Sequence, residues 1–157
     1  DEALLRLTIA TGMRREDVVN VELKDLDVQR GVVRFWEHKK RRPWQAWFGH
    51  DTAVCLEKYM RMLPSGTQFL FPSPRIPKRH MSSRHAYDVL QTWLTRAGLR
   101  QRPFHALRAT CIKLLQKRGW KIEQVAEQTG ADFATIKEHY DTPTEVEMLL
   151  TAKERGF

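Results

Sequence analysis

Long hydrophobic stretches and cysteine are both scarce in this sequence of 157 residues. No apolar run approaches the roughly 20 residues that a membrane-spanning helix needs, so we expect neither a membrane span nor a signal peptide. Cys55 and Cys111 lie in apolar helical patterns without metal-ligand spacing. We therefore expect reduced core thiols in a cytoplasmic protein, and the sequence predicts neither a metal site nor a cofactor.

Acidic residues are outnumbered, with 27 Lys and Arg against 19 Asp and Glu, for a formal net charge of +8. The basic residues cluster at 39–42, at 75–84 and again at 96–102, and tryptophans interleave the first cluster. Such clusters are typical of proteins that bind a phosphate backbone. A solvated basic surface is the alternative. Membrane-surface binding is less favoured, because no strongly amphipathic basic helix stands out.

Length and composition predict one folded domain over residues 1–157. The chain is 41% hydrophobic and 29% charged, too apolar for a disordered chain and too polar for a membrane protein. It begins at Asp1 without Met and enters an apolar helical pattern at once, so we expect a piece of a longer protein. The fold class is mainly α with a small antiparallel β-sheet (α+β).

The periodicity predicts a first helix that Gly12 ends and two short strands, over 32–36 and 44–48, joined by a positively charged turn. Further helices are predicted over 15–21, 51–63, 82–97, 105–117, 121–128, 134–140 and 145–155. Ser82 is the expected N-cap of its helix, Gly98 is the expected stop, and Pro143 is expected to break the chain before the last helix.

Three local patterns contain residues suited to chemistry. Arg14 follows the helix-ending Gly12, and Asp17 follows three residues later, so a capping pair between Arg14 and Asp17 is one interpretation. His105 and Arg108 are spaced i, i+3 at a helix start, which puts both side chains on one face. Tyr140 ends an amphipathic segment, where a tyrosine is usually a half-buried core residue.

Taken together, these patterns resemble the catalytic domain of the tyrosine recombinase (phage-type integrase) family. The family pattern is an Arg in T-G-L-R, a Lys in a β-turn, H-x-x-R, a later His or Trp, and a Tyr nucleophile. The resemblance covers nearly the whole chain, from Thr11-Gly12-Met13-Arg14 to Tyr140. It implies the family's catalytic-domain fold. The catalytic residues that it implies are Arg14, Lys39, His105, Arg108 and Tyr140, with Asp17 as a possible auxiliary and Lys40 as a close competitor of Lys39.

One position departs from the family pattern. Where the family has Leu-Gly-His, or a Trp in place of the His, this chain reads Thr129-Gly130-Ala131. Ala131 has no polar side chain, which puts the reaction rate, and the activity itself, in question. His139 is a poor substitute because neighbours on a helix point about 100° apart. A water molecule or Asp132 are the other candidates, and the sequence does not choose between them.

The resemblance implies site-specific DNA recombination or integration, with strands cleaved and rejoined through a covalent 3′-phosphotyrosyl intermediate without metal or ATP. Arg14 and Arg108 would clamp the non-bridging phosphate oxygens. Lys39 would protonate the 5′-hydroxyl leaving group, while His105 would accept the Tyr140 proton or bind the phosphate. We expect no metal ion and no cofactor.

The implied partner is double-stranded DNA, bound by a cytoplasmic protein associated with the nucleoid. The expected DNA-binding residues are Arg41, Arg42, Arg75, Lys78, Arg79, Arg84 and His85. We expect that this chain lacks the family's N-terminal DNA-binding clamp domain, and residues 145–157 resemble the C-terminal helix that docks on a neighbouring subunit. We therefore expect a largely monomeric fragment that binds DNA weakly, with self-association on DNA into the family's tetramer.

Three alternatives stay open. The first is a non-enzymatic DNA-binding relative whose catalytic site is impaired at Ala131. The second is a type IB topoisomerase-like enzyme, which would share the constellation but relax supercoils instead of exchanging partners. The third is an ordinary basic helical DNA-binding module with chance motif matches, which predicts that Arg14, Arg108 and Tyr140 lie far apart.

Overall fold

Helices account for most of the fold, which a computed structural model describes for residues 1–140 and 144–155. The helices of the described residues are α1 (Glu2–Thr11), α2 (Arg15–Val19), α3 (His50–Met60), α4 (Ser83–Arg96), α5 (Ala106–Lys117), α6 (Ile122–Thr129), α7 (Phe133–His139) and α8 (Glu145–Arg155). A short 3₁₀ helix, Leu23–Asp25, leads into the sheet. The mainly helical α+β class is confirmed.

A three-stranded antiparallel sheet interrupts the helices after α2, in the order β1-β2-β3. Its strands are β1 (Leu26–Asp27), β2 (Val32–Glu37) and β3 (Arg42–Trp47). Val33 pairs with Ala46, and both are buried. Because side chains alternate across a strand, Glu37 lies on the same buried face of β2 as Val33. The basic turn over 38–41 joins β2 to β3, so the predicted charged hairpin is confirmed.

Several helix ends follow from local signals. Gly12 adopts the left-handed conformation after α1, with φ 67°, and its N–H bonds to the carbonyl of Thr8. The Ser82 hydroxyl accepts the His85 N–H at 3.0 Å, as expected of an N-cap. The predicted extension of α2 to Val21 is wrong by two residues, because the Val21 carbonyl accepts the N–H of Leu70 in an extended connection. Residue 143 lies outside the described residues.

Two hydrophobic cores form. The larger joins α1, α2, the sheet, α3 and α4, and the smaller joins α5, α6 and α7 around Cys111, Ile112, Val125 and Ile136. Burial raises the pKa of the Cys111 thiol to about 12. Cys55 is half-buried, and both cysteines are free thiols.

The side chain of Gln128 links the two cores. Its Nε2 donates to the carbonyls of Ala10 at 2.9 Å and Trp47 at 2.5 Å, while its Oε1 accepts the Trp47 N–H at 3.0 Å. One buried amide thereby joins α6 to the end of α1 and to β3. Among the described residues, no helix is both long and apolar enough to cross a membrane.

We expect Gly12→Ala to destabilise the fold more than Gly98→Ala. Both glycines have a φ near +67°, so alanine adds about 1–2 kcal/mol of strain at either position. A Cβ at Gly12 would also lie 2.9 Å from Cγ2 of Thr129 and 3.3 Å from Sγ of Cys111, whereas nothing lies within 4 Å at Gly98. Urea unfolding should show at least about 1 kcal/mol of extra loss for Gly12→Ala. Equal losses would contradict this packing argument.

Candidate active site

A pocket of about 560 Å³ brings together four of the five predicted catalytic side chains. Arg14 reaches it from the start of α2, Lys39 from the β2–β3 turn, and His105 and Arg108 from the start of α5. The remaining lining residues are Met13, Arg15, Glu16, Asp17, His38, Tyr87, Pro103 and Phe104. Segments far apart in sequence therefore converge on one cationic cleft.

Arg14 lies at the N-cap position of α2, directly after the turn made by Gly12. Its Nη1 donates to Oε1 of Glu37 at 2.5 Å, and the pair is mostly buried. The interpretation of Arg14 as a capping partner of Asp17 is wrong, because Arg14 pairs with Glu37 and Asp17 pairs with His38. This pairing holds the side chain of Arg14, which lines the pocket.

Glu37 also binds a second arginine. Glu37 is 1% exposed, and its Oε2 accepts a hydrogen bond from Nε of Arg42 at 2.7 Å. Burial acts to raise the pKa of Glu37, but the hydrogen bonds and charges of Arg42 and Arg14 outweigh burial and hold that pKa below its ordinary value. The Arg42 guanidinium lies 3.8 Å from the centroid of the Trp44 ring, a cation–π contact.

Arg108 is a partly buried cation of the pocket. Its Nη1 donates to the Gly12 carbonyl at 2.6 Å, and its Nη2 is buried without a hydrogen-bond partner in the described structure. Burial, and then the nearby charge of Arg14, lower the pKa of Arg108 to about 10. An arginine with a free, water-excluded donor is suited to receive an anionic oxygen.

The two hairpin lysines have different surroundings. Lys39 lines the pocket, whereas Nζ of Lys40 donates to the Gly130 carbonyl at 2.5 Å, at the end of α6. Lys39 therefore faces the cleft, and Lys40 fastens the hairpin to the α6–α7 connection. This difference favours Lys39 as the candidate general acid.

Tyr140 packs in the smaller core at the end of α7. Its hydroxyl is buried without a hydrogen-bond partner in the described part of the chain, and Tyr140 is not among the described residues that line the pocket. Burial, and secondarily the charge of Glu123, raise the pKa of the Tyr140 phenol. The expectation of a half-buried tyrosine at this position is confirmed, and its hydroxyl is shielded in this state.

The position of the missing family His or Trp is also apolar in space. Ala131 is 7% exposed and belongs to the smaller core. Asp132 serves instead as the N-cap of α7, accepting the Thr135 N–H at 2.8 Å. No group of three or more His, Cys, Asp and Glu within residues 1–140 and 144–155 is placed to hold a metal ion.

The predicted DNA-binding residues differ in exposure and in pairing. Arg41, Arg75, Lys78 and Arg79 are exposed on the hairpin turn and on the loop before α4. Arg84 is exposed but pairs with Asp88 at 3.0 Å, and Arg42 is half-buried against Glu37. His85 is half-buried in the first turn of α4. Arg42 consequently supports the hairpin as well as adding positive charge.

Sequence reasoning missed Glu37, His38 and Gln128. Alternation along β2 from the buried Val33 could have placed Glu37 on the inner face, where a carboxylate needs cationic partners. Gln128 follows Val125 by three residues on the buried stripe of α6, a position where a polar side chain needs hydrogen-bond partners. For His38 the sequence carries no comparable signal, because its partner Asp17 lies 21 residues away.

The sequence matches the model of the phage integrase family over residues 1–145. The chain therefore belongs to the phage integrase family, the tyrosine recombinases, and the fold and motifs described above agree with that membership.

Individual relatives and solved structures agree with this family assignment. The chain is 28% identical over 149 residues to tyrosine recombinase XerC of Oceanobacillus iheyensis, an alignment that covers 89% of this chain and 48% of that protein. The crystal structure of XerA recombinase superposes with a TM-score of 0.81 at 18% identity, covering 98% of this chain and 57% of that one. The crystal structure of a XerH recombinase bound to a palindromic difH substrate gives a TM-score of 0.76 at 18% identity, covering 98% of this chain and 45% of that one. The chain spans less than half the length of the curated relatives that it matches.

Replacing Arg108 by methionine should stabilise the fold. The folded-state pKa, about 10, lies below the ordinary 12.5, so the buried charge costs stability at every pH below about 10. The lowered pKa corresponds to a cost of roughly 3 kcal/mol, which the substitution removes. The substitution also loses the hydrogen bond to the Gly12 carbonyl, which destabilises the fold by about 1–3 kcal/mol. Urea unfolding at pH 7 should therefore show a gain of about 1 kcal/mol for Arg108→Met. The exposed control, Arg100→Met, should change stability by less than about 0.5 kcal/mol; a loss for Arg108→Met would contradict the argument.

Proposed function

We propose that this chain is the catalytic domain of a site-specific DNA recombinase or integrase that cleaves and rejoins strands through Tyr140. The observation that carries the proposal is the pocket in which Arg14, Lys39, His105 and Arg108 converge. Arg108 lines that pocket, and its buried Nη2 has no hydrogen-bond acceptor among the described residues. A phosphate diester would supply the missing acceptor oxygens.

The reaction needs no external energy. The Tyr140 oxygen attacks the scissile phosphorus, a phosphorus–tyrosine oxygen bond forms, and the bond to the 5′-oxygen breaks. His105 takes the phenolic proton, and Lys39 protonates the departing 5′-oxygen. Arg14 and Arg108 bind the non-bridging oxygens, where charge develops in the transition state. A 5′-hydroxyl of a second strand then reverses these steps and restores Tyr140.

Tyr140 must be exposed for this chemistry. Its hydroxyl is buried among the side chains of the smaller core, and burial and Glu123 raise its pKa in that state. Placed instead beside two arginines, the phenolate would be stabilised by their charge. The described state is therefore one in which the nucleophile is protected, and DNA engagement has to bring the phenol to the cationic pocket.

Covalent capture should identify the nucleophile. The natural full-length protein is incubated with nicked suicide duplexes tiled from the DNA that flanks its gene, and SDS-resistant adducts are resolved on gels. We expect an adduct with the wild type and none with Tyr140→Phe, which retains the ring but lacks the attacking oxygen. Ala131→His, which restores the family residue, should form at least as much adduct.

The outcomes separate the alternatives. An adduct formed only by Ala131→His would indicate a recombinase disabled at one position. Intact DNA binding without any adduct would contradict the proposal and favour a non-enzymatic DNA-binding relative. That relative is the second candidate function, because Ala131 replaces the family's His or Trp. Relaxation of supercoiled plasmid without partner exchange would favour topoisomerase-like activity.

Double-stranded DNA is the proposed partner, and copies of the chain would assemble on it. In α8, Val146, Leu149 and Leu150 are each more than half exposed, and their spacing places them on one face. The body of the domain carries a groove of about 990 Å³, whose apolar lining residues include Leu5, Ile9, Trp47, Trp93 and Trp120. An apolar helix on one copy and an apolar groove on the next would make a head-to-tail contact, the kind that closes into rings.

Leu149→Glu should reduce assembly on DNA, while Thr151→Glu should not. The two positions lie about 200° apart around α8, so the control adds the same charge on the opposite face. Burial of a leucine contributes about 1.5–3 kcal/mol, so we expect roughly tenfold or more loss of cooperative binding. Mass photometry on a duplex with room for several copies would measure this, with a monomer expected when DNA is absent. Equal effects of the two variants, or a stable oligomer without DNA, would contradict the proposed contact.

A further inference from the structure

The pocket contains an imidazole that the family resemblance does not assign. His38 lies between Glu37 at the end of β2 and Lys39 in the hairpin turn, and it lines the same pocket as Arg14, His105 and Arg108. It therefore shares a surface with the residues proposed to hold the scissile phosphate.

A buried carboxylate fixes the orientation of His38. Oδ1 of Asp17 accepts the backbone N–H of His38 at 3.0 Å and is 2.9 Å from its Nδ1. Asp17 is 2% exposed and belongs to α2, the helix that begins beside Arg14. Two hydrogen bonds to one atom of a buried carboxylate thus hold both the backbone and the ring of His38.

This contact sets the chemistry of the ring. A carboxylate oxygen only accepts hydrogen bonds, so Nδ1 carries the proton that points to Asp17. Nε2 lies on the other side of the ring, and the His38 side chain is 39% exposed. Nε2 is therefore the atom of the Asp17–His38 pair that a bound molecule can reach.

The geometry points to His38 as a further catalytic residue, one that binds the scissile phosphate through Nε2 and supplies the imidazole that position 131 lacks. The charged and titratable groups around it in the pocket are Arg14, Arg15, Glu16, Asp17, Lys39, Tyr87, His105 and Arg108. Asp17 is a positioning residue that acts through His38. This inference rests on the proposed strand-cleavage function.

The other candidates for that role fit less well. Asp132 uses its carboxylate as the N-cap of α7, and a carboxylate would repel a phosphate. His139 lies in the last turn of α7 and is not among the described residues that line the pocket. Ala131 itself offers only a methyl group.

Single-turnover adduct formation on the suicide duplex tests the inference. The amide of Asn can replace the Nδ1 donor to Asp17 but has no group at the position of Nε2, so His38→Asn separates a structural from a catalytic role. We expect His38→Asn to slow adduct formation by about 100-fold, the usual effect of removing one phosphate or oxyanion donor, with DNA affinity changed less than about twofold. Adding Ala131→His to His38→Asn should raise the rate of adduct formation at least tenfold above that of His38→Asn alone. A wild-type rate in His38→Asn would overturn the proposal.

A double-mutant cycle tests the role of Asp17. If Asp17 acts through His38, Asp17→Asn slows the wild type but adds little to His38→Asn. Additive losses would show that Asp17 does not act through His38.

A binding measurement separates failure of this inference from failure of strand cleavage. Inorganic phosphate is titrated into Tyr140→Phe protein whose histidines are labelled with ¹⁵N. We expect saturable shifts of His38 Nε2 and His105, and none of His50, which lies outside the pocket. If the wild-type protein forms no adduct on the suicide duplexes, such shifts in Tyr140→Phe would still support phosphate binding at His38 while the strand-cleavage proposal fails. Absence of a His38 shift would overturn the inference whether or not the adduct forms.

Discussion

The buried carboxylate of Glu37 is the interaction on which the cationic pocket depends. Arg14 and Arg42 bind its two oxygens at 2.5 and 2.7 Å, and the side chain is almost entirely excluded from water. Positive groups repel one another when they are brought together, and one buried anion between two of them offsets that repulsion. Removing one partner from such a buried set typically costs about 3–5 kcal/mol. Glu37 also ties α2 to the hairpin, so the same carboxylate places Arg14 and supports the strand that ends beside Lys39.

Arg108 represents the opposite solution within the same pocket. It has no carboxylate partner among the described residues, only the Gly12 carbonyl, and one of its terminal nitrogens is left without an acceptor. A buried, incompletely satisfied cation destabilises a folded protein unless a ligand completes it. This is the pattern expected of a site whose last anion arrives with the substrate. Glu37 neutralises the charge of Arg14, whereas no carboxylate among the described residues neutralises the charge of Arg108. Arg14 is therefore held by the fold itself, and Arg108 is left to bind an anion from outside.

The sequence was informative where the signal was local. Gly12 ends α1 because its left-handed conformation suits glycine, and Ser82 caps α4 through a bond within one turn. The i, i+3 spacing of His105 and Arg108 directs both side chains to one pocket. These features depend on neighbours in the chain, so propensity and spacing were sufficient to predict them.

Contacts between distant segments could not be predicted in the same way. Arg14 meets Glu37 across 23 residues, and Gln128 reaches Ala10 across 118. Local spacing favoured Asp17 as the partner of Arg14. In the structure Arg14 pairs with Glu37 instead, and Asp17 pairs with His38. The departure at Ala131 was readable from the sequence. Whether another imidazole lines the pocket depended on the tertiary contacts of the hairpin turn.

The hairpin and the tyrosine-bearing segment are physically joined. Lys40 donates to the Gly130 carbonyl, Trp44 Nε1 donates to the Glu127 carbonyl at 3.2 Å, and Gln128 bonds the backbone of Trp47. The three contacts end on the last turn of α6 or on Gly130 directly after it, and this segment leads into α7 and Tyr140. A phosphate that attracts the Lys40 ammonium competes with the Gly130 carbonyl for the same donor. Each such bond contributes only about 1–3 kcal/mol net, so the proposed DNA contact at the hairpin would compete with this connection. In the proposed reaction, exposure of Tyr140 would then be coupled to DNA contact through the hairpin, without a separate effector.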